Sequence, residues 1–233
     1  MTVAQAERAV RAAAADDPDL VVHLGDYGYS YKRSRSASRR GYRRSMARLT
    51  PLLRTLRARD GVVALLGNHD YYYDAGGVRD WLESLGMHVL VNAPYVLQRG
   101  SARVVLLGID DAGEGCIDVG RALLGAPDDA TRILLSHNPD GVYTIEPGHR
   151  ISGVIAGHTH GGQIVLPWYG AIATFCRICG RRTATGWVPN DHAPLYVTKG
   201  VGGMIPVRLN CTPEVLLVRL RRAPEGVAVQ QPV

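Results

Sequence analysis

Cysteines and long apolar runs are scarce in this sequence. It has 4 cysteines in 233 residues, at positions 116, 176, 179 and 211, which excludes a dense disulfide framework. Cys176 and Cys179 form a C-x-x-C pair, but no second pair lies nearby, so a structural zinc site is disfavoured. No apolar run approaches the ~20 residues that span a bilayer, and the N-terminus lacks a signal-peptide pattern. As written, the chain is predicted to be soluble and cytoplasmic.

The length and composition favour one globular domain over residues 1–233. Apolar residues make up 46% of the 233 positions, which is enough to bury one large α/β core, and no internal repeat is visible. Lysine and arginine exceed acidic residues by 27 to 21. This modest excess is compatible with an anionic partner, but by itself it indicates none. The sequence makes no prediction of oligomeric state.

The order of apolar segments predicts a layered α/β fold with mixed sheets, because short apolar strands alternate with helices and meanders. Helices are predicted at 3–15, at 78–85, and after a basic loop that precedes residue 46. Strands are predicted at 20–24, 62–66, 88–91, 95–98, 103–109, 132–135, 153–156, 195–198 and 215–219.

Four of the predicted strands end in short polar motifs. These are Gly25-Asp26, then GNHD at 67–70, SHN at 136–138 and GHTH at 157–160. Ligands of open α/β sheets bind beyond the carboxyl ends of the strands, so these motifs are expected to converge on one site. A carboxylate, an amide oxygen and imidazoles suit Mn, Fe or Zn.

A structural role for each histidine is the simpler alternative when the histidines are taken singly. A lone histidine at a strand end is more often a hydrogen-bonded structural residue than a ligand. However, each unpaired buried polar group costs about 1 to 3 kcal/mol, so four such motifs on four buried strands are costly without a shared partner. A common metal ion would remove that cost.

These motifs resemble those of the calcineurin-like metallophosphoesterases, in the same order. The resemblance extends over about residues 20–220, and it is closest to the bacterial, envelope-associated YkuE-like phosphodiesterase branch, through GNHDYYYDAGGVRDWLESLG, SHNPD and GHTHGGQIVLPWYGA. It implies a layered α/β/β/α sandwich with two mixed sheets. It also implies a hydrolase with two divalent metal ions, Mn, Fe or Zn, that activate a water to attack a phosphoester.

The resemblance assigns a role to each motif residue. Asp26 would bridge both ions, and His160 would be a ligand of the second ion. His69 would stand beside the leaving group as a general acid, and Asp70 would orient its neighbours. The first ion would be completed by Asn68, His137 and His158.

One block of the family is missing from this sequence. The family carries an Asp-x-His motif at the end of a first strand, upstream of the Gly-Asp block, and residues 1–25 contain no such motif. Residues 1–15 match the helix that follows that strand, so the first strand is expected to be absent. A start codon assigned too late is the favoured explanation; a genuine truncation and an inactive paralogue are the alternatives.

The missing block has a chemical consequence. One ion would keep four ligands, whereas the other would keep only Asp26 and His160. The chain as given is therefore predicted to bind a single metal ion and to be a poor phosphodiesterase, and a catalytically impaired metal- or anion-binding paralogue is the alternative function. In addition, Tyr29 stands where many relatives carry an acid that orients the active-site histidine, which weakens the assignment of His69.

Residues 31–48 form a basic stretch with eight lysines and arginines and no acid. A solvated arginine-rich loop is one interpretation. The alternatives are a phosphorylated small-molecule or lipid substrate, an anionic membrane surface, or nucleic acid, which is disfavoured because no nucleic-acid-binding motif accompanies the stretch. A lipid substrate or membrane fits the branch best, and a segment preceding residue 1 would allow membrane association or export.

Overall fold

The computed structural model describes residues 3–30 and 35–221. Its five helices are α1 (Val3–Ala15), α2 (Arg35–Leu53), α3 (Asn68–Tyr73), α4 (Ala75–Ser84) and α5 (Val119–Ala122). Its strands are β1 (Val21–His23), β2 (Val62–Ala64), β3 (His88–Val89), β4 (Ala93–Arg99), β5 (Ala102–Gly108), β6 (Thr131–Ser136), β7 (Gly153–Ala156), β8 (Val165–Leu166), β9 (Gly170–Ala171), β10 (Gly186–Val188) and β11 (Leu195–Val197). Short 3-10 helices occupy Pro139–Thr144, Pro147–His149 and His160–Gly162.

Two sheets carry the fold, and a small β8–β9 hairpin lies beside them. The smaller sheet has the order β1-β2-β3, and the larger has the order β10-β11-β7-β6-β5-β4. The larger sheet is mixed, because β4 and β10 join its parallel centre as antiparallel edges. The sequence predicts two mixed sheets, but the described strands of the smaller sheet are all parallel. Helices link its successive strands, and such crossovers return the chain in the same direction.

The side chains of each strand alternate between two apolar layers. On β2, Val62 faces the layer formed with α1, α2 and α4, whereas Val63 faces the other sheet. On β5, Leu106 belongs to the layer between the sheets, and Leu107 packs on the opposite face with α5. The layers therefore run α/β/β/α, as predicted.

Two predicted elements differ from the structure. The basic stretch from Arg35 onward is helix α2, not a loop, while residues 31–34 lie outside the described part of the chain. Arginine is a good helix former, and Tyr42, Leu49 and Leu53 give α2 a buried face at helical spacing. Residues 215–219 form no strand and pair with no described neighbouring strand, and the side chains of Val215, Leu217 and Val218 are exposed.

None of the helices in the described ranges is both long and apolar enough to cross a bilayer.

Candidate metal centre

Four polar side chains from the predicted motifs meet at the carboxyl ends of the two sheets. Asp26 follows β1, Asn68 follows β2, His137 follows β6 and His158 follows β7. The Nε2 atom of His137 lies 3.3 Å from Asp26 Oδ2, 3.2 Å from Asn68 Oδ1 and 3.1 Å from His158 Nδ1. The donor atoms of Asp26, His137 and His158 all lie within 4.8 Å of one another. One carboxylate, one amide oxygen and two imidazole nitrogens thus surround a single point.

Backbone carbonyls fix which nitrogen of each histidine faces that point. His137 Nδ1 lies 2.6 Å from the Leu24 carbonyl oxygen, and His158 Nε2 lies 3.0 Å from the Phe175 carbonyl oxygen. A carbonyl oxygen only accepts hydrogen bonds, so we assign the ring N–H to these outer nitrogens. The inner nitrogens, His137 Nε2 and His158 Nδ1, are then the ones that can present lone pairs to a metal ion.

The electrostatics of the cluster favour a cation at its centre. Burial lowers the pKa of His158 to about 3, with the charge of His137 acting in the same direction, so His158 is neutral and able to ligate. Burial alone would lower the pKa of His137, but the charge and hydrogen bond of Asp26 raise it to about 9. Burial would raise the pKa of Asp26, but His137 holds it well below its usual range. Without a metal ion, a proton on His137 is the cation that these acceptors share.

The backbone around the cluster is held in left-handed conformations that side chains other than glycine rarely adopt. Asp26 has φ +61° and His158 has φ +66°. Gly67 leaves room for the cluster, since a Cβ there would lie 2.3 Å from Asp26 Oδ1 and 2.5 Å from His137 Cε1. Such strain at several converging residues is typical of functional sites, where the surrounding structure maintains it.

Asp70 supports the cluster from behind. Its fully buried carboxylate accepts the backbone N–H groups of Gly67 at 2.7 Å, Asp26 at 2.9 Å and Tyr27 at 3.0 Å. It also accepts the hydroxyl of Tyr42, which reaches it from the basic helix α2. Burial and the nearby Asp26 raise the pKa of Asp70 to about 7, although these donors lower it. Asp70 therefore joins the Asp26 turn, the Gly67 turn and α2 in one network.

His69 and His160 border the cluster without joining it. The backbone N–H of His69 donates to Asp26 Oδ1 at 3.0 Å, while its ring Nδ1 lies 2.7 Å from the Ser30 carbonyl oxygen. The ring of Tyr29 lies 4.4 Å from that of His69. The rings of Tyr29 and His69 are thus in contact, and the hydrogen bond to the Ser30 carbonyl orients the His69 imidazole. His160 has φ +51°, and burial lowers its pKa to about 4.

Sequence reasoning missed a fifth polar tip, Asp110-Asp111, directly after β5 and Ile109. Both carboxylates are buried, and Asp110 accepts the Tyr71 hydroxyl and the Cys116 N–H. Asp111 Oδ2 has no hydrogen-bond partner within residues 3–30 and 35–221, and its charge acts on His137. The pattern that identified the other tips, an apolar strand ended by polar residues, also applies to these two residues.

Comparisons with known proteins indicate the family of this chain. Residues 3–162 match the calcineurin-like phosphoesterase family. Similar proteins include an uncharacterized metallophosphoesterase, YkuE, of Bacillus subtilis, with 30% identity over 88% of this chain and 68% of that protein. Phosphodiesterase YaeI of Escherichia coli is 32% identical over 67% of this chain and 57% of its own length. The UDP-2,3-diacylglucosamine pyrophosphatase LpxG of Chlamydia trachomatis is 30% identical over 56% of this chain and 43% of its own length.

The chain thus spans between 43% and 68% of the length of these relatives. The family match extends over more than half of the chain, through the Gly-Asp, GNHD, SHN and GHTH blocks. The chain therefore belongs to the calcineurin-like phosphoesterase family.

Proposed function

We propose that the chain is a metal-dependent phosphohydrolase that cleaves a phosphodiester or a pyrophosphate with a metal-activated water. The observation that supports this most is the meeting of four potential ligand atoms of mixed oxygen and nitrogen type, with His137 Nε2 within 3.3 Å of the other three. Such a donor set suits Mn, Fe or Zn. The family match supplies the reaction class, since its members are phosphoesterases.

In this proposal Asp26, Asn68, His137 and His158 would hold one divalent cation. Asp26 would also contribute to a second ion together with His160. Bound divalent ions lower the pKa of a coordinated water and neutralise charge on phosphate oxygens. The protein itself supplies the orientation, since the carbonyls of Leu24 and Phe175 direct the two imidazoles inward.

His69 is proposed as the residue beside the leaving group. Its Nδ1 donates to the Ser30 carbonyl, so Nε2 is the nitrogen left to face a substrate. With Nδ1–H bonded to Ser30, Nε2 carries a proton only in the imidazolium form, and in that form it could pass the proton to the leaving oxygen. Such general acid catalysis typically contributes about 10² to 10⁴-fold in rate.

The substrate class is proposed from the relatives and from the basic surface. YaeI is named a phosphodiesterase, and LpxG is named a UDP-2,3-diacylglucosamine pyrophosphatase. We propose a phosphodiester or pyrophosphate, with a lipid-linked one as the finer form. Helix α2 offers the anion-binding face, because five of its arginines are exposed: Arg39, Arg40, Arg43, Arg44 and Arg48.

A second candidate function, a catalytically impaired metal-binding protein, is favoured by one observation. The compact group of donor atoms within the described residues includes Asp26, His137 and His158, but His160 lies outside it. Among the described residues, only Asp26 and His160 are proposed as ligands of the second ion. A chain that binds one ion tightly and turns over slowly would match this alternative.

Hydrolysis of bis-p-nitrophenyl phosphate with added Mn²⁺ tests the proposal. Wild-type protein is compared with Asp26→Asn, which should lose activity, and with His69→Ala, which should lose turnover while keeping Mn²⁺ affinity. Exposed Asp80→Asn on α4 is the matched control for the carboxylate change and should behave as wild type. Hydrolysis that is independent of Mn²⁺, or unchanged in Asp26→Asn, would show the proposal to be wrong. Mn²⁺ binding without turnover would select the impaired alternative.

A further inference from the structure

The loop between β9 and β10 contacts the outer side of a proposed metal ligand. The carbonyl of Phe175 in this loop accepts the hydrogen bond from His158 Nε2 at 3.0 Å, which fixes the tautomer that turns Nδ1 toward the cluster. The next residue, Cys176, forms a disulfide with Cys179, with 5.6 Å between their Cα atoms. The peptide group that orients His158 is therefore joined directly to a cross-linked turn.

The half-buried carboxylate of Asp140 holds the same turn by accepting hydrogen bonds from its backbone. Asp140 accepts the backbone N–H of Arg177 through both carboxylate oxygens, at 2.8 and 2.9 Å, and that of Ile178 at 2.9 Å. Asp140 itself lies in the SHNPD segment, three residues after His137, and its N–H donates to the Asn138 side chain at 2.9 Å. The Cys176–Cys179 turn thus connects the segments that carry His137 and His158.

We propose that the Cys176–Cys179 disulfide is a redox modification site, reduced by a small or protein dithiol, that sets how tightly the metal centre holds its ion. This inference rests on the proposed function, because it assumes that His158 is a metal ligand. With the disulfide formed, the turn is short and closed, and the Phe175 carbonyl is held against His158. With the disulfide reduced, only noncovalent contacts hold the turn, and the hydrogen bonds to Asp140 are prominent among them.

The two cysteines differ in exposure, which gives the exchange a direction. Cys176 is partly exposed, whereas Cys179 is 7% exposed. A thiolate of the dithiol can attack Cys176 Sγ, forming a mixed disulfide while Cys179 leaves as a thiolate and takes up a proton. The second thiol of the reagent then displaces Cys176, which is also protonated. The protein gains two electrons and two protons, and the dithiol leaves as its cyclic or internal disulfide.

The expected consequence is weaker metal binding on reduction. Removing the partner that orients a metal-ligating histidine typically weakens metal binding 10- to 100-fold. Reduction loosens the Phe175 carbonyl without deleting it, so we expect the lower end, about 10-fold weaker binding. Mn²⁺ is the suitable probe because it prefers oxygen and nitrogen ligands, and the newly formed thiols would compete for softer ions such as Zn²⁺.

The test is calorimetric titration of the whole metal-free chain with Mn²⁺, before and after treatment with dithiothreitol and its removal under nitrogen. Thiol titration should rise from two free thiols, those of Cys116 and Cys211, to four. The double variant Cys176→Ser/Cys179→Ser should bind Mn²⁺ about 10-fold more weakly than oxidised wild type and should not respond to the dithiol. Cys116→Ser, which removes an exposed free thiol, is the control and should respond as wild type does.

A second readout needs no metal ion. Amide hydrogen exchange of Arg177 and Ile178 in the metal-free protein should accelerate on reduction, because only the Asp140 contacts then protect them. Asp140→Asn, which keeps the disulfide but removes an acceptor, should also weaken Mn²⁺ binding, so the inference is testable even if the double serine variant does not fold. Equal Mn²⁺ affinity in the oxidised and reduced chain, or four free thiols before any reduction, would overturn the inference. Absence of Mn²⁺ binding in the oxidised wild type would instead overturn the proposed function.

Discussion

Tyr42→Phe removes a single hydroxyl from the network that supports the proposed metal centre. Tyr42 is fully buried, its ring stacks on Tyr73 at 4.3 Å, and its hydroxyl donates to the Asp70 carboxylate. Phenylalanine keeps the ring and its stacking, so the change isolates one hydrogen bond. Hydrogen bonds to charged groups contribute roughly 1.5 to 3 kcal/mol. For a chain of this size, a change of 1 kcal/mol shifts Tm by about 2 to 4 °C, so we expect Tm to fall by about 3 to 12 °C at pH 8.5.

The loss should depend on pH with a definite sign. Burial and Asp26 raise the pKa of Asp70 to about 7, and the Tyr42 hydroxyl is one of the donors that lower it. Removing that donor raises the folded-state pKa of Asp70 further, so the folded variant binds its proton more tightly than the folded wild type does. The variant therefore loses stability relative to wild type as pH rises through about 7, and the difference is smaller at pH 5.

Thermal unfolding followed by circular dichroism at pH 5 and pH 8.5 measures both effects. Tyr169→Phe, at a half-exposed tyrosine on the β8–β9 hairpin, is the matched control and should change stability by less than about 0.5 kcal/mol. An unchanged Tm for Tyr42→Phe at both pH values, or a larger loss at pH 5, would refute this account of the network.

Three further predictions concern the metal centre. Asp26 raises the pKa of His137 to about 9, so a metal ion must displace the proton of His137 in order to bind. The apparent Mn²⁺ affinity measured by calorimetry should therefore fall about tenfold for each pH unit below that pKa. An affinity that does not change between pH 6.5 and pH 8.5 would contradict this. Gly67→Ala places a methyl group 2.3 Å from Asp26 Oδ1 and should abolish Mn²⁺ binding, whereas Gly148→Ala, with nothing within 4 Å, should not. Asp111→Asn removes a buried charge that acts on His137 and should weaken Mn²⁺ binding about 10-fold; wild-type affinity would show that this charge has no influence on the site.

The strand tips could be predicted from the sequence because two local signals coincide there. Apolar runs mark the buried strands, and the convergence of their carboxyl ends follows from the sheet architecture. Asp26, Asn68, His137 and His158 are brought together in this way. Asp110 and Asp111 also follow an apolar strand, β5. They are absent from the predicted site because the family motifs do not include them.

Other features depend on contacts that no local pattern encodes. The arginines between residues 32 and 48 suggested a solvated loop, yet the buried Tyr42 anchors helix α2 on Asp70, 28 residues further along the chain. The hydrogen bond between His158 and the Phe175 carbonyl, next to the Cys176–Cys179 disulfide, joins residues of separate loops. For residues 215–219, the run of apolar residues predicts a strand, but a strand also requires a hydrogen-bonded neighbour. The described part of the structure provides none at that place.

Calorimetric titration of the metal-free chain with Mn²⁺ shows directly whether Asp26 and the neighbouring strand ends bind a divalent metal ion. Asp26→Asn is the comparison. Asparagine keeps the size of the side chain and tolerates the left-handed backbone at this position, φ +61°, so the variant changes mainly the charge of the proposed ligand. We expect saturable binding of Mn²⁺ by the wild-type chain and loss of this binding in Asp26→Asn with the fold retained. No binding by the wild type, or equal binding by the variant, would contradict it.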